Sequence, residues 1–324
     1  MLARVKEVGE PEFDPRRKRE EGYLADYKRR QHVLYRKKAA ILLELCHIHS
    51  DDPRVPEWMN RRWVLLGWNQ DPKDVALEVI ADIAAVTRTE TDALVLRHAA
   101  YWRAYYKAHM LEGDAEAMLA AVDEFAAKYP DDERGAELLS LVVEDESAGR
   151  EVRLAIYRRL ATLYPDTHYG TYAPGMIRRI ESKGKPFELS FEDAITGEHI
   201  SIAKLQGKVV VIDFWATTCA PCVAAMPRLK ELYRRFRDRG VAVIGVSLDE
   251  NEANGGLKAL RRFVKKHEIP WPQFYQGNGY ESAFSKSWGV GSAPTMFVLD
   301  KKGRLYSTEA HGRLEEAVQA VLSE

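Results

Sequence analysis

The stretch Val209-Val-Val-Ile-Asp-Phe-Trp-Ala-Thr-Thr-Cys219-Ala-Pro-Cys222 decides how the chain folds. Val209 to Phe214 is an apolar, β-branched run holding one acid, Asp213, and it reads as a central strand covered on both faces. Beyond the second cysteine, Val223, Met226, Leu229, Tyr233 and Phe236 recur at helical spacing. Arg228, Lys230, Glu231, Arg234 and Arg237 fall between them, so this segment is an amphipathic helix. The two cysteines therefore stand at a helix N-terminus. Unpaired N–H groups and the positive end of the helix dipole stabilise a thiolate at that place and make the first cysteine nucleophilic.

Working outward, alternation at Phe187, Leu189 and Phe191, a Thr196-Gly197 turn, and alternation at Ile200 and Ile202 predict a β-hairpin. Leu205-Gln-Gly-Lys208 turns the chain into the central strand. After the cysteine helix the pattern gives a strand over 241–246, a helix over about 257–267, and a loop rich in Pro, Trp and Gly. A short helix over 281–288 and a strand over 295–299 follow. A turn at Asp300-Lys-Lys-Gly303, a last strand near Leu305 and a helix over 314–322 close the chain. Strands alternating with helices, then a terminal hairpin and helix, specify an α/β domain with a mixed sheet and helices on both faces.

Upstream of Glu181-Ser-Lys-Gly-Lys-Pro186 the composition changes. Residues 1–17 read as an irregular lead and 18–180 as an all-helical domain. Helices are expected from Lys18 to about His49, after Pro53 and Pro56, from Asp71-Pro72, and from about Thr91. The aromatics Tyr101, Trp102 and Tyr105 on the fourth are packing residues. Phe125-Ala-Ala-Lys-Tyr-Pro-Asp131 is echoed by Arg159-Leu-Ala-Thr-Leu-Tyr-Pro-Asp166, with the Tyr-Pro-Asp triplets 35 residues apart. That period matches stacked helix–turn–helix pairs, so the domain is tetratricopeptide-like in shape. In each copy Pro ends one helix and the following Asp is the expected cap of the next.

With 324 residues there is room for two cores. Lys and Arg number 48 against 49 Asp and Glu, which gives no global pull toward nucleic acid or anionic membrane. No apolar run approaches the ~20 residues that span a bilayer, and Met1-Leu-Ala-Arg-Val-Lys-Glu7 has no signal-peptide core. The protein is then either cytoplasmic or exported by a segment outside this sequence. Three cysteines are too few for a disulfide framework, and two of them three residues apart point to redox chemistry. Cys46-His47-Ile48-His49 spreads its side chains around a helix end, so Cys46 is expected to be a buried thiol rather than part of a metal clip.

The run from Ile200 to Cys222, Met226-Pro227, and Trp288-Gly-Val-Gly-Ser-Ala-Pro294-Thr295 together resemble the thioredoxin-like reductases of the TlpA/ResA group, over about residues 184–324. The resemblance implies a thiol-disulfide oxidoreductase that reduces protein disulfides and is recharged by an upstream dithiol donor, without cofactor or metal. By the same resemblance Cys219 is the nucleophile, Cys222 the resolving thiol, and Asp213, six residues before Cys219, the general base for Cys222. Trp215, Ala220, Pro221, Ala293 and Pro294 would form the substrate face. The Ala293-Pro294 bond would be cis, exposing backbone that pairs with an extended substrate. Such proteins are extracytoplasmic, and a membrane tether would need a segment outside this sequence.

Three positions depart from the group: Ala225 replaces a common Glu, Thr218 a common Trp, and Ala220-Pro221 the Gly-Pro of thioredoxins. Other readings stay open. Zinc or iron–sulfur ligation lacks a second Cys-x-x-Cys. A thiol peroxidase would need Thr where Ala216 stands. In the third reading the helical domain is a binding scaffold and the thioredoxin-like part is passive.

Overall fold

The computed structural model describes residues 5, 6, 8–68 and 70–324. Its contacts divide the chain into two compact units, Met1–Ile156 and Tyr157–Glu324. Part of the lead, residues 1–4 and 7, lies outside the described residues, and the rest includes a single 3₁₀ turn at Pro15–Arg17.

The first unit is helical: α1 (Tyr23–Ile48), α2 (Val55–Leu66), α3 (Pro72–Val86), α4 (Ala93–Met110), α5 (Ala115–Lys128), α6 (Arg134–Glu144) and the start of α7 (Arg150–Leu163). Asp71, Asp92 and Asp114 accept first-turn N–H groups and so set where α3, α4 and α5 begin. The aromatics of α4 pack between helices. Tyr101 is buried and donates to Glu137 of α6 at 2.8 Å, and the Trp102 indole donates to Asn60 of α2 at 2.8 Å. Neither Asp131 nor Asp166 caps the helix that follows it. Asp132, rather than Asp131, accepts from the Arg134 amide at 3.1 Å, and Thr167, rather than Asp166, accepts from Gly170 at 3.1 Å. The two X-Pro-Asp turns run longer than a proline stop alone implies.

The division between the units falls inside α7, so α8 (His168–Ser182) belongs to the second unit. The composition change at Glu181 would place it with the helices before it. Next come the hairpin β1 (Ser190–Glu192) and β2 (His199–Ser201), then β3 (Val209–Trp215), α9 (Ala220–Phe236), β4 (Val241–Ser247) and α10 (Gly256–Lys266). The chain closes with β5 (Gln273–Tyr275), α11 (Ala283–Ser287), β6 (Thr295–Leu299), β7 (Leu305–Ser307) and α12 (Leu314–Ser323). The five-stranded sheet has the order β5-β4-β3-β6-β7; β3, β4 and β5 are parallel, β6 pairs antiparallel with β3, and β7 pairs antiparallel with β6. The stretch read as a Pro- and Trp-rich loop contains an edge strand, β5. Its three residues are too short to show a period, and pairing with β4 creates it.

β3 is the central strand, and every one of its residues is buried. Side chains alternate between two cores. Val209, Val211 and Trp215 pack with Cys222, Met226 and Leu229 of α9, Leu260 and Val264 of α10, and Val318 and Val321 of α12. Val210, Ile212 and Phe214 pack with the hairpin, Trp288 and Phe297 on the other face. Each such burial contributes about 1.5–3 kcal/mol, so six apolar residues outweigh the cost of one buried acid between them.

Candidate active site

β3 runs out at Trp215 and the chain enters α9 at Ala220, which leaves Ala216 to Cys219 as a short connection. Asp249 pins that connection from the end of β4. It accepts from the Thr217 amide at 3.0 Å, from the Thr217 hydroxyl at 2.5 Å and from the Ser247 hydroxyl at 2.8 Å. Cys219 caps α9, and the Cys222 amide donates to its sulfur at 3.3 Å. That donor is one of the orphan N–H groups of the helix start, and it favours a thiolate when the bond is reduced.

Cys219 and Cys222 form a disulfide. Cys219 is part-exposed, Ala220 and Pro221 are exposed, and Cys222 is buried. The Ala293–Pro294 peptide is cis, and the Ala293 carbonyl oxygen lies 3.8 Å from the Cys219 sulfur. The structure thus brings Cys219, Ala220, Pro221, Ala293 and Pro294 to one surface. Cys219 faces out and Cys222 faces the core.

Asp213 is on the same face of β3 as Val211 and Trp215, the face that receives Cys222. It is 2% exposed, and its Oδ1 has no hydrogen-bond partner. Burial pushes its pKa up to about 7. A carboxyl held there exchanges its proton near neutral pH.

Trp215 does not join the substrate surface. It is fully buried, its indole N–H donates to Gln273 Oε1 at 3.0 Å, and its ring packs on Phe263. The parity that faces Asp213 inward takes Trp215 with it. Gln273 is itself fully buried, donates to the Trp271 carbonyl at 3.1 Å, and lies where a Cβ on Gly245 would be, within 2.2 Å. Gly245 pairs with Asp213 in the β3–β4 register, so the missing side chain makes room for the amide beside the acid. Sequence reasoning passed over Asp249, Gln273 and Gly245, because their roles come from strand adjacency. The one legible signal was a glycine inside a β-branched strand.

Cys46 faces the core of the first unit, with its thiol pushed up to about 11 by burial, while His47 and His49 point outward. The three do not converge. No helix among the described residues is long and apolar enough to cross a membrane.

The Redoxin family model matches residues 182–322. The thiol-disulfide oxidoreductase ResA of Bacillus cereus is 30% identical over 128 residues, which is 40% of this chain and 69% of that protein. The protein of the same name from Halalkalibacterium halodurans is 28% identical over 170 residues, covering 52% of this chain and 90% of that one. The first three relatives of this kind are spanned over 60% to 69% of their own length. Among solved structures, the C-terminal domain of a putative thiol-disulfide oxidoreductase from Bacteroides thetaiotaomicron aligns with 44% of this chain and 96% of its own. Its TM-score is 0.39 at 20% identity.

Proposed function

Because the chain belongs to the thioredoxin-like thiol-disulfide oxidoreductases, we propose that it reduces disulfides in protein substrates and is recharged by a second dithiol protein. The observation that carries this reading is the asymmetry of the dithiol: Cys219 part-exposed at a helix start beside the Ala293 carbonyl, Cys222 buried behind it.

In the forward direction the Cys219 thiolate attacks one sulfur of the substrate disulfide. A mixed disulfide forms and the other substrate sulfur leaves as a thiolate. Asp213 takes the proton of Cys222, whose burial disfavours its own ionisation. The Cys222 thiolate then attacks the Cys219 sulfur. The mixed disulfide breaks, the second substrate thiolate departs, and the Cys219–Cys222 disulfide remains. Two electrons have passed to the substrate, and a donor dithiol returns them by the same exchange in reverse. Ala220, Pro221, Ala293 and Pro294 form the contact surface, where the Ala293 backbone pairs with an extended segment. Without a Glu at Ala225, Asp213 acts alone as base.

By likeness to the TlpA/ResA group the reaction belongs outside the cytoplasm. The helical unit is proposed to hold a partner, on the expectation that its helices stack in pairs. The test is capture. A Cys222→Ser variant incubated with an extract of oxidised proteins should accumulate mixed disulfides through Cys219, identified by mass spectrometry. Accumulation in Cys219→Ser instead would invert the two roles.

A further inference from the structure

Helix α8 ends at Ser182, where the Redoxin match begins, and Tyr172, Gly175, Met176 and Arg179 on it meet one segment, Lys286 to Gly291, just ahead of Ala293-Pro294. The approach is glycine on glycine. A Cβ on Gly175 would stand 2.0 Å from the Gly289 nitrogen and 2.6 Å from the Lys286 carbonyl oxygen. Gly289 has φ +58, and a Cβ there would come within 2.8 Å of the Met176 nitrogen. Backbone rests on backbone, which only glycine permits at this distance. Arg179 donates through Nε to the Trp288 carbonyl oxygen, and its guanidinium lies over the Phe297 ring, 5.1 Å from the centroid. Trp288 precedes Pro294 by six residues and Phe297 follows it by three, so one side chain grips both flanks of the cis peptide. Burial brings the Arg179 pKa down to about 10, which leaves it charged at neutral pH. Further along α8, the Tyr172 ring stands beside the exposed Gly291, where a Cβ would be 3.5 Å from the ring, and its hydroxyl donates to Glu281 at 3.3 Å.

We propose that α8 is a positioning element of the active site. In this inference Gly175 and Arg179 fix the Trp288–Pro294 segment so that the Ala293 carbonyl stands against Cys219, and Tyr172 walls the Gly291–Ser292 edge along which a polypeptide substrate lies. The inference rests on the reading of the protein as a reductase of protein disulfides. A polypeptide must pair with the Ala293 backbone and reach past it, so its binding depends on where that backbone is held. A small disulfide needs only the Cys219 sulfur. The clamp therefore acts on one class of substrate and spares the other.

The experiment uses the full chain with Arg179→Met, Arg179→Lys and Gly175→Ala. The reduced proteins are assayed on insulin, a polypeptide disulfide, and on 5,5′-dithiobis(2-nitrobenzoate), a small one. Amide hydrogen exchange is followed at residues 289–293 and in β3. Arg179→Met and Gly175→Ala should raise the insulin KM at least fivefold, with the small-disulfide rate within twofold of wild type. Exchange at 289–293 should speed at least tenfold while β3 stays protected. Arg179→Lys, which keeps a donor, should fall between. An unchanged insulin KM, unchanged exchange at 289–293, or equal losses on both disulfides with β3 also deprotected would overturn the inference. A wild type that cannot reduce insulin would count against the functional reading, and the exchange data would still decide the clamp.

Discussion

Asp213 is the one acid in a fully buried strand, and its Oδ1 has no partner. Its carboxyl ordinarily titrates near 3.8, and burial lifts it to about 7. Between those values the native state holds a proton that the unfolded chain has released, so this group lowers stability as pH rises from about 4 to 7. The effect is complete above pH 7. A shift of that size corresponds to about 4 kcal/mol as an upper bound. For Asp213→Asn the unfolding free energy relative to wild type should climb by up to that amount from pH 4 to 7 and then level off, read from urea titrations of the oxidised proteins. A pH-independent difference would mean that the carboxyl is not held protonated. The same variant should slow decay of the mixed disulfide at pH 7 on the order of a hundredfold, the scale of a lost general base. Decay at the wild-type rate would remove Asp213 from that role. The place of Asp213 in a covered strand and of the two cysteines at a helix start was legible in the sequence because strand, turn and helix start follow one another without a gap, while their roles rest on resemblance. Trp215 was read as a contact residue from resemblance, although its parity with Val209 and Val211 already turned it inward.

At the scale of elements, the loop between β3 and α9 keeps its shape through a neighbour distant in sequence. Asp249 is 4% exposed and takes three hydrogen bonds from Thr217 and Ser247. Asp249→Ala strands those donors, at least one of them buried, and should cost about 1–3 kcal/mol, measured as the change in urea midpoint at constant m-value. It should also slow reduction of insulin, since Cys219 is two residues beyond Thr217. A change below about 0.5 kcal/mol would show that the loop is held by other contacts. The principal helices and long strands of this unit could be read from periodicity within a residue or two. β5 could not, since three residues carry no period and Gln273 becomes structural only once it lies beside Gly245. The acids after the two repeat prolines missed the helix starts for a related reason. Which of two adjacent polar residues meets the first free N–H depends on the turn's path, and the spacing of Pro and Asp leaves that path open.

On the scale of the molecule, two cores and a composition change near residue 181 were visible in the chain, but the contacts divide it at Ile156. Helix α8 is amphipathic like the helices before it, and its pattern says only that one face is buried. What covers that face is settled by Gly175 and Gly289, more than a hundred residues apart and both ordinary in sequence. The fold of the second unit follows from a strand, a dithiol and a helix in succession, and so does its class of chemistry. The direction in which electrons run does not follow from that order, because small free-energy terms set it: 30 mV is about 1.4 kcal/mol for this couple. The midpoint potential of the Cys219–Cys222 disulfide, equilibrated against dithiothreitol buffers with the dithiol fraction read by alkylation, therefore tests the central claim most directly. A reductant of protein disulfides should give a two-electron value nearer to thioredoxin, at about −270 mV, than to the oxidant DsbA, at about −120 mV. A value near the latter, or no two-electron transition at Cys219 and Cys222, would contradict it.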